Sequence, residues 1–557
     1  MIMNANQNRF KVLVILVFNL ATIYRFQLIN EFQLIQGGGT PYDNTIQSSI
    51  LEHWFNFFQG NANWLDAGYF FPYSRTIAQT DGYFLTGVIY APIRLLGFEP
   101  YLATELVGLA LKIIGFIGTL ILSQKIFKIN LNYSLLISTL FTLNDAMTTH
   151  GYRIQLATVA FVPWLFLINH EAIKSYFEMN WSRFIKFGSL GSVFFGFWCI
   201  TCFYMAWFYA FYFLILIIIL IFLYRRKLNQ FKYSYKASLK PFLFVSLFTI
   251  ISLVPFIYAY YPKSLETGTR VYEKISFSTL TPENLFQLGK SNKFYTPIFD
   301  NILKFISPNY QADDWEYYNM GISFIIFVLA LSALVKYGSE KNSSLEIKLL
   351  VAVVLSGLLG IFSILSIFGK SPWQIIFEVI PGAKALSVAS TFMLLLSLPL
   401  YIASVYLISK LKLKTFILIP LILVLIISEI NDPSLKVVRQ EQIEMNVKVS
   451  DPPVGCEVFY VGGWENQEKF YGVWDWINNQ YAHNVSAMMI AQIVNIPTIN
   501  GMASFIPKDY DLIGPNGTAF SPNSQEYEDK VQKYIEKHKI ENICKLNLND
   551  KKWTLIN

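Results

Sequence analysis

The chain has 557 residues, of which 54% are hydrophobic, 17% aromatic and only 15% charged, and its mean hydropathy is +0.40. That composition excludes a soluble enzyme, a disordered chain and a collagen-like fibre, and marks an integral membrane protein. The net charge of +7 would suit a nucleic-acid partner, but its distribution along the chain reports membrane topology instead, and no nucleic acid is expected.

A bilayer core of about 30 Å takes about 20 apolar helical residues. Eleven segments approach that length, at 11–29, 102–123, 132–147, 154–170, 184–201, 203–223, 240–261, 319–336, 348–368, 388–409 and 413–430. Runs such as LILIIILIFLY at 214–224 and FILIPLILVLII at 416–427 are too apolar and too numerous for one aqueous core. The first segment follows Arg9 and Lys11 and has no small-residue cleavage site before Asn30, so it reads as an uncleaved helix with a cytoplasmic N-terminus. Every second connection is then basic. These connections hold Lys125 and Lys128, the 225–240 cluster, Lys336 to Lys348 and Lys410 to Lys414. With Arg9, Lys11, Lys174, Arg183 and Lys186 they total 19 basic residues against four acids.

The 14-residue run YFLTGVIYAPIRLL at 83–96 contains Pro92 and Arg94. Counting it as a span would place every later basic loop outside, so it reads as a helix lying at the interface. Two long outer loops follow from this topology, at 30–100 and 262–319, and residues 1–430 form the membrane domain. The first loop carries Trp54, Phe55, Phe57, Phe58, Trp64, Tyr69, Phe70, Phe71 and Tyr73, an aromatic density that suits interfacial helices. In the second, Thr281 and Pro282 open a helix at KISFSTLTPENLFQLG, and the acidic QADDWEYY follows at 311–318.

Residues 431–557 carry a net charge of −4 and read as a small extracytoplasmic α/β domain. Strands are expected at 458–461 and 543–548, helices at 487–494 and 525–537, and the segment KWTLI follows. Cys456 and Cys544 lie on or beside those strands in an oxidising compartment, where a disulfide is a candidate pairing. Cys199 and Cys202 form C-x-x-C inside an apolar segment with no accompanying histidine, so packing is favoured over redox or metal chemistry.

No P-loop, GxGxxG, HExxH or GxSxG pattern occurs, and the five histidines do not cluster in the sequence. The residues able to carry chemistry are therefore acids on the outer face: Asp43, Glu52, Asp66, Asp81, Asp145, Glu266, Glu273, Glu283, Asp313 and Asp314. Asp43 follows GGGTPY directly after the first span. A carboxylate there can deprotonate an acceptor hydroxyl, hold a divalent metal (Mg or Mn) against a phosphate leaving group, or simply cap the next helix.

The stretch from Asp43 to Gly97 resembles the first outer loop of a bacterial family of GT-C-type membrane glycosyltransferases and their uncharacterised relatives. The shared features are an acid after helix one, an interfacial helix, a D-A-x-x-F-x-P-Y turn (Asp66, Ala67, Phe70, Pro72, Tyr73), and a second interfacial helix. GYRIQLATVAFVPW at 151–164 resembles an H-x-Q segment, keeping Gln155 but with Arg153 in the histidine position. PGAKALSVASTF at 381–392 resembles P-G-x-x-x-x-R-x-P-x-R-F, and INGMASFIP at 499–507 resembles N-G-x-S-x-x-x-P.

The resemblance implies a GT-C-like multi-pass fold in the bacterial inner (plasma) membrane. It also implies transfer of a sugar from a polyprenyl-phosphate-linked donor to an extracytoplasmic glycan, lipid or protein acceptor. Asp43 matches the acid that acts as base or metal ligand, and Asp66 is a further candidate catalytic acid. Asp145 lies where oligosaccharyltransferase catalytic subunits carry a second acidic motif, which NDAMTTHG does not reproduce. The family's arginines are replaced by Ser387 and Thr391 and its second proline by Ala389, so a lipid phosphate must meet another cation or such a donor is not bound at all. The candidates for binding substrate are Arg75, Arg153, Gln155, Arg270 and Lys384. Two other classes stand beside this one: a transporter or lipid flippase working through Lys112, and a non-catalytic envelope-assembly protein on the same scaffold.

Overall fold

The computed structural model describes residues 2–36, 42–145, 147–148, 153–228, 235–308, 310, 319–340, 344–432, 435–463, 482–512 and 522–556. The acidic 311–318 segment lies outside them. Seven helices are long and apolar enough to cross a membrane: Pro100–Lys125, Ile154–Phe177, Trp181–Thr201, Phe203–Leu223, Leu239–Thr267, Leu345–Ile364 and Ala389–Lys410. The chain is a multi-pass helical membrane protein.

Helix length does not confirm the expected count of eleven. Leu131–Leu143, Phe324–Gly338 and Thr415–Ser428 have 13, 15 and 14 residues, which at about 1.5 Å per residue covers about 20 Å of a 30 Å core. Ile2–Ile23 is long enough but opens on the polar NANQNRFK. All four are helices near where the sequence places them, and among the described residues seven helices have full spanning length.

The spans differ in how they meet their surroundings. The apolar window of Ala389–Lys410 is wholly buried, which makes it the central helix, whereas that of Leu239–Thr267 is only 6% buried. Exposed Leu243, Leu247, Ile250, Ile251 and Val254 on the latter form a lipid-facing surface. It touches the rest of the bundle chiefly through Trp181–Thr201, where Gly196 admits the backbone of Ser252.

The first outer loop is not a surface layer. Its helix Tyr42–Phe58 buries Ile50, Leu51 and Trp54, and it is covered by helix Phe84–Leu95 on one side and helix Ala482–Val494 on another. Of its aromatics, Trp54, Tyr69 and Phe70 are buried in the shared core, while Phe58 stays exposed. The apolar 83–96 run becomes the helix Phe84–Leu95, 12 residues long and so too short to span. In the second loop, Thr281 caps only a single turn, its hydroxyl accepting the Asn284 N–H at 3.3 Å.

The tail elements occur where expected. Val458–Gly462 pairs in parallel with Ile543–Asn547, which pairs antiparallel with Lys552–Ile556. Helix Gln525–His538 is also present. A strand at Leu435–Val438 was not anticipated, and it pairs antiparallel with Leu34–Gln36 of the first loop. One continuous apolar core runs through the membrane helices, the first loop and the tail.

Candidate functional site

Asp43 stands in the first turn of Tyr42–Phe58, and Gln47 follows one turn later on the same face. Both meet the segment that opens the Ile154–Ala157 helix. Arg153 donates from Nε and Nη2 to one Asp43 oxygen at 3.2 and 3.1 Å, and the Ile154 N–H donates to Gln47 Oε1 at 2.9 Å. The carboxylate is 40% exposed and the guanidinium 19%, so the pair is reachable from outside. Gln155 extends the group, its Oε1 accepting the Tyr83 hydroxyl at 2.7 Å. The Tyr83 phenol in turn feels the charges of Asp81, Asp43 and Arg153.

The two resembling stretches nearest the tail are bonded to each other. Phe70 N–H donates to Asn500 O and Phe71 N–H to Thr498 O, both at 3.0 Å, and Thr498 N–H returns to Gly68 O at 2.9 Å. Gly501 is required there, since a Cβ would lie 2.7 Å from the Phe70 ring. The tail then reaches the membrane domain through Phe505, whose N–H donates to Gln79 O at 2.9 Å and whose ring lies 4.8 Å from the Arg270 guanidinium.

Arg270 joins the fourth stretch. Its N–H donates to Lys384 O at 3.1 Å, and its Nε approaches Ala385 O at 3.4 Å. The Tyr204 hydroxyl bonds to Ser387 and accepts the Val388 N–H at 3.1 Å, and Arg270 acts electrostatically on that same phenol. Thr391 donates to Val388 O at 2.6 Å. Ser387 thus meets another helix through Tyr204 and Thr391 serves its own turn, and neither offers a positive charge.

The remaining sequence candidates fall elsewhere. Asp66 accepts the Arg75 N–H at 2.7 Å and Asn63 Nδ2 at 3.0 Å, which makes it the organiser of its own turn. The Arg75 guanidinium lies 5.0 Å from the Tyr258 ring. Lys384 turns its ammonium to Glu378 at 2.5 Å on the surface. Asp145 is buried and acts electrostatically on Glu429 and Tyr401. Lys112 is buried against Tyr24, donating to its hydroxyl at 3.2 Å, a fixed pairing of neighbouring helices. Cys456 and Cys544 are joined as a disulfide with Cα atoms 5.7 Å apart, while Cys199 and Cys202 are free and buried.

Tyr83, Tyr204 and Asp81 belong to the site but carry no motif. The one signal for Asp81 is the Asp81-Gly82 step, which places an acid in a turn whose glycine cannot be replaced: a Cβ on Gly82 would lie 2.5 Å from Ile200 O.

A divalent metal does not fit the group around Asp43. Among the described residues no three His, Cys, Asp or Glu side chains gather as a metal site. The Asp43 carboxylate is also already answered by a permanent cation, which would repel a second one. No step is routed through a metal.

No family model and no curated protein matches the chain. Among solved structures it is similar to the oligosaccharyltransferase of Archaeoglobus fulgidus in the apo form, at 11% identity and a TM-score of 0.44, covering 96% of this chain and 69% of that one. The archaeal oligosaccharyltransferase AglB of Archaeoglobus fulgidus, in complex with an inhibitory peptide and a dolichol-phosphate, gives 11% identity, a TM-score of 0.45 and the same coverage.

Proposed function

We propose that the chain is a membrane glycosyltransferase of GT-C type. It takes a sugar from a polyprenyl-phosphate-linked donor and passes it to an extracytoplasmic glycan, lipid or protein, in the inner membrane of a bacterium. One observation supports this reading most. The four stretches that carry the resemblance are far apart in sequence, yet pairwise contacts link them: Asp43 to Arg153, Phe70 to Asn500, and Phe505 through Arg270 to Lys384.

In this reading the donor's isoprenoid tail stays in lipid while its phosphate meets Arg153 and Arg270. Guanidinium groups suit that task because their fork of donors matches phosphate oxygens and their charge never titrates. The Asp43 partner holds Arg153 in place before the donor arrives. The outer loop and the tail segment at 499–507 roof the site and exclude water. Residues 431–557 are thus part of the catalytic body, and the disulfide belongs to an oxidising exterior.

The test uses membranes containing the full chain, a set of polyprenyl-phosphate-linked radiolabelled sugars, and release of polyprenyl phosphate as the readout. Asp43→Asn and Arg153→Ala each lower transfer by about 100-fold or more at normal expression, and Arg153→Lys restores little because an ammonium lacks the fork. Full transfer by Asp43→Asn would remove Asp43 from the site, and a wild type that transfers from no donor would sink the reading.

A further inference from the structure

A second carboxylate lies in the same site and takes no part in the Asp43 ion pair. Asp81 sits where two membrane helices meet, Trp181–Thr201 ending and Phe203–Leu228 beginning, with Cys202 extended between them. Its Oδ1 accepts the Phe203 N–H at 3.1 Å, and the Cys202 thiol is its other donor. Among the described residues no cation forms an ion pair with it.

The segment around Asp81 is clamped from several elements. Gly82 N–H donates to Ile200 O at 3.0 Å, Tyr83 N–H to Thr201 O at 2.9 Å, and Leu85 N–H to Thr201 Oγ1 at 2.9 Å. Trp54 Nε1 donates to Gly82 O at 2.5 Å, and the Tyr260 hydroxyl to Thr80 O at 3.0 Å. A carboxylate held by this many neighbours has a fixed aim, which is the requirement for proton transfer at a defined atom.

The titratable groups facing it are the phenols of Tyr83 on its own segment, Tyr204 on the helix after the break and Tyr260 on Leu239–Thr267, together with the Cys202 thiol. Asp43 and Arg153 act on Tyr83 from the far side, and Arg270 acts on Tyr204. Asp81, two residues before Tyr83 and bonded to the residue before Tyr204, thus neighbours both tyrosines on which the two guanidinium groups act. The residue as a whole is half-buried. Burial pushes its carboxyl up to about 7, against the Phe203 N–H and Cys202, which lower it. A base poised there is half-ready at neutral pH.

We propose that Asp81 is the catalytic base of the transfer and that Asp43 is a positioning residue for Arg153; the assignment rests on the glycosyltransferase reading above. The Asp81 carboxylate takes the proton of the acceptor hydroxyl as that oxygen bonds to the anomeric carbon of the sugar. The bond from that carbon to the phosphate oxygen breaks, and polyprenyl phosphate leaves with the electron pair. Asp81 then returns the proton to water. The two acids divide the work by their surroundings: Asp43 is committed to a cation, Asp81 is not.

The experiment is a pH–rate profile of the full-length protein in membranes. Wild type shows kcat falling on the acid side with an apparent pKa near 7. Asp81→Asn, whose amide oxygen still accepts the Phe203 N–H, loses about 100-fold or more in kcat. It also loses that acid limb, with the donor KM unchanged. Asp43→Asn instead raises the donor KM and keeps the limb. Should Asp81→Asn fail to fold, Asp81→Glu keeps the carboxyl but displaces it, and shows a kcat about tenfold or more lower with the limb retained. An active wild type with Asp81→Asn or Asp81→Glu at wild-type kcat overturns the base assignment alone. A wild type inactive on every donor in the set overturns the glycosyltransferase reading, and the base assignment with it.

Discussion

Arg153 and Asp43 are opposite charges 3.1 Å apart, yet with the carboxylate 40% exposed the pair contributes about 1 kcal/mol at most to folding. Its position is better explained by what it can meet than by what it stabilises. Asp66 shows the contrary case. Both of its oxygens are used inside the 63–76 turn, by Asn63 and by the Arg75 N–H, and that turn carries Phe70 toward the tail. We expect Asp66→Ala to cost about 1 to 2 kcal/mol through the orphaned Arg75 amide, read as a lower melting temperature in detergent, while transfer at a permissive temperature stays within about threefold of wild type. A stable Asp66→Ala variant with transfer abolished would return Asp66 to the catalytic group. Motif membership alone did not separate these two acids, because the distinction lies in partners more than 100 residues away for Asp43 and within nine for Asp66.

At the scale of elements, helix Tyr42–Phe58 sets the site because it presents Asp43 and Gln47 on one face while Trp54 anchors it two turns further on. Trp54 is buried against Phe84 with ring centroids 5.0 Å apart, and Gly87 of the facing helix lets it in: a Cβ there would lie 2.7 Å from the Trp54 side chain. Gly87→Ala gains helix propensity but overpacks this contact, for a net loss of about 1 to 3 kcal/mol. Limited proteolysis of the first loop should speed up accordingly, and an unchanged cleavage rate would show that the two helices are free to part. The alternation and periodicity of single segments were enough to place the tail strands Val458–Gly462 and Ile543–Asn547 and the helices of the bundle. They were silent on the burial of the 42–58 aromatics, because an aromatic face covered by lipid headgroups and one covered by another helix have the same composition. The strand Leu435–Val438 was illegible for a related reason: four residues carry too little pattern, and its pairing with Leu34–Gln36 bridges 400 residues of sequence.

For the whole molecule, the tail and the first loop are one body, joined by helix Ala482–Val494 lying on helix Tyr42–Phe58. Each of these paired helices buries one histidine. His483 is almost fully buried, neither ring nitrogen has a hydrogen-bond partner among the described residues, and burial draws it down to about 3. His53 lies against Trp54 with centroids 5.7 Å apart, and burial draws it down to about 4, a backbone contact with Trp64 acting the other way. Both folded values lie below the unfolded value of about 6.5, so the unfolded chain binds protons that the folded one refuses. Stability is therefore full above about pH 6.5 and falls as pH drops toward 4 and then 3, by about 1.4 kcal/mol per pH unit for each histidine. The loss is concentrated at the contact that roofs the site, so acid should part the tail from the loop before the membrane helices respond. His483→Phe keeps a ring against Tyr527 but cannot take up a proton. Between pH 7 and pH 5 its melting temperature, followed by tryptophan fluorescence in detergent, should fall by less than that of wild type. Parallel curves for the two proteins would show that His483 is solvated in solution and that the tail does not close over the loop as tightly as the shared core indicates.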